Sequence, residues 1–194
     1  MGRAVCRTDS GGQGDLVKAV PTPLPDVFVV EPELISDERG FFARTWCHRE
    51  FEQLGLGAQI VQCNVSFNHV TGTLRGMHYQ AAPYEEAKLV RCTRGRMYDV
   101  ALDLRPESTT YCRWFGIVLD AENRKALYVP PGCAHGFLTL ADDTEVFYQM
   151  SEYYEPGAGR GVRYNDPVFG IDWPGAIHVI NERDRTYADF LSER

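Results

Sequence analysis

The sequence predicts an all-β fold, an antiparallel β-sandwich or jelly roll with a few short helices, on three observations. Strand-like runs recur at short intervals between residues 27 and 154. Several alternate apolar and polar residues with a period of two, the signature of a strand with two unlike faces. Only CHREFEQLGLG, from Cys47, has clear helical spacing: Phe51 and Leu54 share a face and glycine ends the turn.

Taken in order, residues 1–22 read as a flexible N-terminal extension. MGRAVCRTDSGGQG is polar and glycine-rich, and TPLPD closes it with two prolines. Residues 23–194 then form one domain, a length that buries a single core. VFVVEPELI (27–35) and GFFARTW (40–46) read as strands flanking the polar turn SDER. AQIVQCNVSF and TLRGMHYQ (73–80) follow the helix, and AKLVRCT and RMYDVALDLR are joined as a hairpin across Arg94-Gly95. In the last of these Tyr98, Val100, Leu102 and Leu104 alternate with Asp99, Ala101, Asp103 and Arg105, which predicts that the apolar set faces inward. RWFGIVLD, KALYVP, GFLTL and TEVFYQMSEYY continue the pattern. The final forty or so residues, with NDPVFGIDWP, read as irregular wrapping.

Twenty Lys and Arg against 27 Asp and Glu give a formal charge of −7, which argues against nucleic acid as a partner. An anionic ligand would need a local cluster of cations, and Arg75, Lys88, Arg91, Arg94 and Arg96 supply one in sequence. The bland alternative for each is a solvated strand face. No apolar run approaches membrane length. The six cysteines show neither CxxC pairing nor zinc spacing, which fits reduced thiols in the cytoplasm.

Three segments carry the candidate chemistry: TLRGMHYQ, the turn PPGCAHGF (130–137) and TEVFYQMSEYY. PPGCAHGF fits the P-x-G-x-x-H part of the cupin barrel pattern. The H-x-H expected of a metal-binding cupin is reduced to His78 between Met77 and Tyr79, so no metal is expected. Histidine titrates near neutrality and suits removal of a proton beside a carbonyl. The enolate so formed calls for a cation such as Lys88, and Tyr148 is a candidate to return a proton. The competing reading is structural, since a lone strand histidine is usually satisfied by its neighbours and tyrosines in β-proteins are usually core. On a regular strand Arg75 and His78 point to opposite faces. If both serve one site the strand must kink, and Gly76 is where a bulge costs least.

DERGFF (37–42), LRGMHYQ, KLVRCTRG (88–95), AENRKALYVPPGCAHGF (121–137), FYQMSEYY (147–154) and NDPVFGIDWP (165–174) come in one order. Together they closely resemble the dTDP-4-dehydrorhamnose 3,5-epimerase family, from about residue 24 to about residue 191. The resemblance implies a cupin-like jelly roll, normally a homodimer, that needs no metal or cofactor. It implies inversion of C3 and C5 of a nucleotide-linked 4-keto-6-deoxyhexose on the way to dTDP-L-rhamnose or related deoxysugars, with inversion at a single carbon as the near alternative. A metal-dependent cupin and a sugar-nucleotide-binding protein without catalysis are the more distant ones. Carried over position by position, the general base falls on His78, its partner on Asp184, the acid on Tyr148 and the lysine near the keto oxygen on Lys88. Arg39, Gln62, Asn64, Arg75, His135 and Tyr154 fall on substrate-contacting positions, and Phe41 is a candidate to stack on the base or sugar. This chain departs from the pattern at Arg44 (often Glu), Cys63 (often Asp), Gly159 (often Glu) and Arg183 (often Lys). Arg44 and Arg183 remain candidates to hold the substrate. The proton-transfer set is intact and the ligand-holding set is altered.

Overall fold

The computed structural model describes residues 17–57 and 59–190. Its elements in chain order are β1 (Val17–Pro21), β2 (Phe28–Pro32), β3 (Leu34–Asp37), β4 (Gly40–Ala43), α1 (His48–Gln53), β5 (Gln62–Asn68), β6 (Thr73–Gln80), β7 (Lys88–Arg94) and β8 (Arg96–Asp103). They continue as β9 (Trp114–Asp120), β10 (Ala126–Val129), β11 (Cys133–Thr139), β12 (Thr144–Met150), β13 (Gly159–Gly161), β14 (Val179–Ile180) and α2 (Glu182–Arg185). One sheet runs β1-β2-β10-β7-β12-β5 and the other β13-β6-β11-β8-β9, with β14 added alongside β6. Every pairing is antiparallel except β14 with β6. Val90, Leu127 and Val146 of the first sheet pack with Met97, Ala101, Leu119 and Phe137 of the second, so the core lies between two facing sheets. This is the expected all-β jelly roll with two short helices.

Four expectations are revised. The hairpin expected across Arg94-Gly95 is a crossover instead, since β7 pairs with β10 and β12 in the first sheet and β8 with β11 and β9 in the second. The proposed extension, residues 1–22, is not all tail: Val17–Pro21 pair with β2 along their whole length, and Val17 is buried. Its remainder, residues 1–16, lies outside the described residues. The C-terminal wrapping, expected to be irregular, contributes β13, β14 and α2. The faces of β8 are the reverse of the expected ones. Val100 and Leu102 point away from the inter-sheet core and are covered by Val162, Phe169 and Ile171 of the C-terminal segment. Ala101 and Met97 face inward, and Asp99 and Asp103 of the same parity are fully buried. A sheet with both faces covered loses the alternation that marks its inside.

Asp103 is buried at the end of β8 and organises the following loop. It accepts hydrogen bonds from Arg105 Nε (2.9 Å), Ser108 Oγ (2.6 Å) and Thr110 Oγ1 (2.7 Å), and Arg105 reaches on to Asp26. Burial pushes the Asp103 carboxyl up, but these donors outweigh it and hold the pKa at about 2. A depressed carboxyl contributes stability above its unfolded value and loses it as pH falls through the folded one. Asp103→Asn is therefore expected to cost about 2 kcal/mol at pH 7, with the gap to the wild type closing towards pH 2. Urea unfolding at the two pH values measures this.

Candidate active site

β6 is the strand on which the site is built. His135 of β11 stands opposite His78, but the next aligned pair is Phe137 with Arg75. Two residues of β6, Gly76 and Met77, therefore face the single Gly136, and the strand bulges. The bulge turns Met77 into the outer core under the C-terminal segment, and both Arg75 and His78 line one cavity. Gly76 has φ +130°, and a Cβ there would lie 2.5 Å from Gly136 Cα, so two backbones touch where only glycines fit. The kink expected at Gly76 is present.

The carboxylate that faces His78 comes from the C-terminal segment. β14 pairs in parallel with Thr73 and Leu74 and so delivers α2 beside the bulge. Asn181 caps α2, its Oδ1 accepting the Asp184 N–H at 2.7 Å. Asp184, fully buried, accepts from His78 Nε2 at 2.7 Å and from the Gly76 N–H at 3.1 Å. Burial pushes the Asp184 carboxyl up, yet the bond from His78, its charge and the Gly76 N–H together hold it below the ordinary carboxylate value. His78 is held by Nε2, Nδ1 has no hydrogen-bond partner among the described residues, and the side chain is 39% exposed. The Tyr187 ring fills the space above Gly161 and meets His78 edge-on at 6.4 Å.

A cavity of about 580 Å³ opens over this pair. Of the thirteen residues expected to form a site, ten line it: Gln62, Asn64, Arg75, His78, Lys88, His135, Tyr148, Tyr154, Arg183 and Asp184. Tyr148 stands opposite Asn64 on β5 and Val90 on β7. Burial raises its pKa against the opposing charge of Arg75, which keeps the phenol protonated at neutral pH. Arg75 Nε donates to Asn68 Oδ1 at 2.7 Å, and Gln62 holds the Tyr154 N–H at 3.1 Å. Lys88 Nζ lies 2.7 Å from Glu86 Oε1 and donates to the His78 carbonyl at 3.2 Å.

Arg39, Phe41 and Arg44 do not line the cavity. The first two sit on the β3–β4 hairpin, a separate two-stranded sheet, and Arg44 follows it. Arg39 is ion-paired with Asp37 on the surface, Phe41 lies under the Arg124 guanidinium and Arg44 is paired with Glu50 of α1. The hairpin leaves Ile35, Phe41 and Phe42 exposed, Phe42 at 60%.

Two acidic residues that sequence reasoning passed over belong to the site. Asp99, fully buried, accepts from His135 Nε2 at 2.7 Å, so the cavity holds two carboxylate-anchored imidazoles side by side. Nothing in the chain signals this pairing, which arises when β11 is laid against β8. Glu86 did leave a signal: E-x-K in an extended segment puts both side chains on one side. Among the described residues no three His, Cys, Asp or Glu converge as a metal-ion group. No described helix is long and apolar enough to cross a membrane.

Comparison with known proteins agrees with this architecture. The family model for dTDP-4-dehydrorhamnose 3,5-epimerase matches residues 21–192. The dTDP-4-dehydrorhamnose 3,5-epimerase of Shigella flexneri is 39% identical over 169 residues, 87% of this chain and 93% of that protein. A dTDP-4-dehydrorhamnose 3-epimerase of Streptomyces niveus is 37% identical over 167 residues, 85% of this chain and 80% of that one. The crystal structure of the Bacillus anthracis 3,5-epimerase, with TDP and PPi bound, superposes with a TM-score of 0.86 at 38% identity, covering 90% of this chain and 99% of that one. The chain thus belongs to the dTDP-4-dehydrorhamnose 3,5-epimerase family and is an isomerase with a cupin-like jelly-roll fold.

Proposed function

We propose that the protein inverts C3 and C5 of a dTDP-linked 4-keto-6-deoxyhexose, with His78 as base and Tyr148 as acid. The observation that carries this reading is the convergence, in one cavity, of a carboxylate-anchored imidazole, a protonated tyrosine and a paired lysine. Nδ1 of His78 takes a proton from the carbon beside the ketone, and the C–H electrons move into the C4 carbonyl. The oxygen gains the charge and the Lys88 ammonium neutralises it. Tyr148 delivers a proton to the opposite face of the carbon, and solvent then reprotonates the phenolate and discharges the imidazolium. Both neighbouring carbons are acidified by the same ketone, so one base and one cation serve both inversions. Asp184 fixes the His78 tautomer and stabilises the imidazolium as it forms. Arg75 and Arg183, neither within ion-pair distance of a carboxylate among the described residues, suit the diphosphate.

The working unit on this reading is a homodimer. The exposed apolar hairpin and the unpaired edge of β5 each suit contact with a second copy of this chain. Docked there, the hairpin would carry Arg39 and Phe41 to the partner's cavity, which accounts for their absence from their own. Sedimentation equilibrium is expected to return twice the chain mass, and a monomer that turns over at full rate would contradict this. Cys47, Cys63, Cys92 and Cys133 are free thiols, which suits a reducing cytoplasm.

Incubation with dTDP-4-keto-6-deoxyglucose tests the function. Proton couplings of the product ring are expected to report inversion at C3 and C5. The Streptomyces niveus relative favours one second reading, inversion at C3 alone, and couplings altered at only that carbon would select it.

A further inference from the structure

Glu86 is 5% exposed and lines the cavity, yet it carries no part of the proton-transfer chemistry described above. Its Oε1 is 2.7 Å from Lys88 Nζ, with only 3% of the Glu86 side chain and 10% of the Lys88 side chain exposed. Its Oε2 is buried and has no hydrogen-bond partner among the described residues. An amide at this position would still give Lys88 an acceptor, without the cost of a buried charge holding a half-unsatisfied carboxylate. What the carboxylate supplies and an amide does not is charge.

We propose that Glu86 is a positioning residue that acts through Lys88, fixing the direction of the ammonium that meets the substrate's keto oxygen. The inference rests on the epimerase reading. The Glu86 carboxylate and the His78 carbonyl take two of the three Lys88 N–H bonds, which leaves one for the ligand. An ammonium cut off from water is costly without a counter-charge, and the adjacent carboxylate supplies it. The bond to the His78 carbonyl ties this cation to the strand that carries the base, so base and cation keep one spacing. The diphosphate end of the ligand is gripped elsewhere, so loss of Glu86 touches the chemical step rather than ground-state binding.

The test is steady-state turnover of dTDP-4-keto-6-deoxyglucose by the wild type, E86Q, K88M and the double variant. E86Q is expected to fold and to hold KM within about twofold, while kcat falls by ~10-fold or more, the scale of one charge-assisted hydrogen bond. In the K88M background the same change is expected to alter kcat by less than about twofold, because the group it acts through is gone. Unchanged kcat in E86Q, a rise in KM alone, or an equal loss in both backgrounds would overturn the proposal. Should E86Q not fold, the double variant compared with K88M decides: equal kcat supports the proposal and a further drop overturns it. A wild type that does not turn over removes the epimerase reading and this inference with it. Wild-type turnover with an unaffected E86Q removes only the role of Glu86.

Discussion

His78→Asn is expected to lower turnover by ~1,000-fold or more while the fold survives, the scale of losing a general base. Asparagine keeps a donor near Asp184, whose carboxylate also retains the Gly76 N–H and the support of α2. It has no group that accepts a proton at neutral pH. Because one imidazole serves both carbons on this account, exchange at C3 and C5 is expected to disappear together. Loss at one carbon only would assign the other to a second base, and His135, anchored by Asp99, is the group placed to be that base. Circular dichroism and the thermal midpoint, measured beside the kinetics, separate lost chemistry from lost structure.

Gly76→Ala is expected to cost about 4 kcal/mol, from a side chain in left-handed backbone space added to overpacking between two strands. The new Cβ would meet Gly136 Cα at 2.5 Å and the His135 carbonyl at 3.0 Å, both main-chain atoms with no rotamer to escape into. Relief of that contact would push β6 from β11 and separate His78 from Asp184, so activity is expected to fall in whatever fraction folds. Gly40 is the control. Its φ of +129° is nearly the same, yet nothing lies within 4 Å of the Cβ position, so Gly40→Ala isolates the backbone part at ~1–2 kcal/mol. Urea unfolding of the two variants gives the difference due to packing, and equal losses would show that the close approach of Gly76 and Gly136 is not limiting.

Much of the fold was legible because strands separated by turn residues announce themselves through their spacing. The helix at Phe51 fell where the residues pointed. The turn at Gly95, expected to close a hairpin, carries the chain from one sheet to the other, because a tight turn marks a change of direction and not which strand becomes the partner. The bulge was legible for a different reason: Arg75 and His78 are an odd number of residues apart, and one cavity cannot receive both from a regular strand. β1 was hidden because a short segment ending in proline resembles a tail until β2 pairs with it. The inward face of β8 was misread because C-terminal side chains cover its other face, and the acidic residues on the inner one are held by His135 and Arg105. Asp184 was reached through resemblance alone. No local pattern links it to His78, and the contact forms only after a parallel two-residue strand aligns beside β6. The β3–β4 hairpin shows where position-by-position transfer meets a single chain's geometry: Arg39 and Phe41 sit away from the cavity they were expected to line.

The claim on which everything else depends is that the cavity removes protons from carbon on both sides of a ketone. Incubating the wild-type protein with dTDP-4-keto-6-deoxyglucose in heavy water and locating the label by NMR tests it most directly. Deuterium is expected at C3 and at C5, at rates no slower than inversion. Recovery of sugar nucleotide with protium at both carbons, from protein shown to be folded, would contradict it.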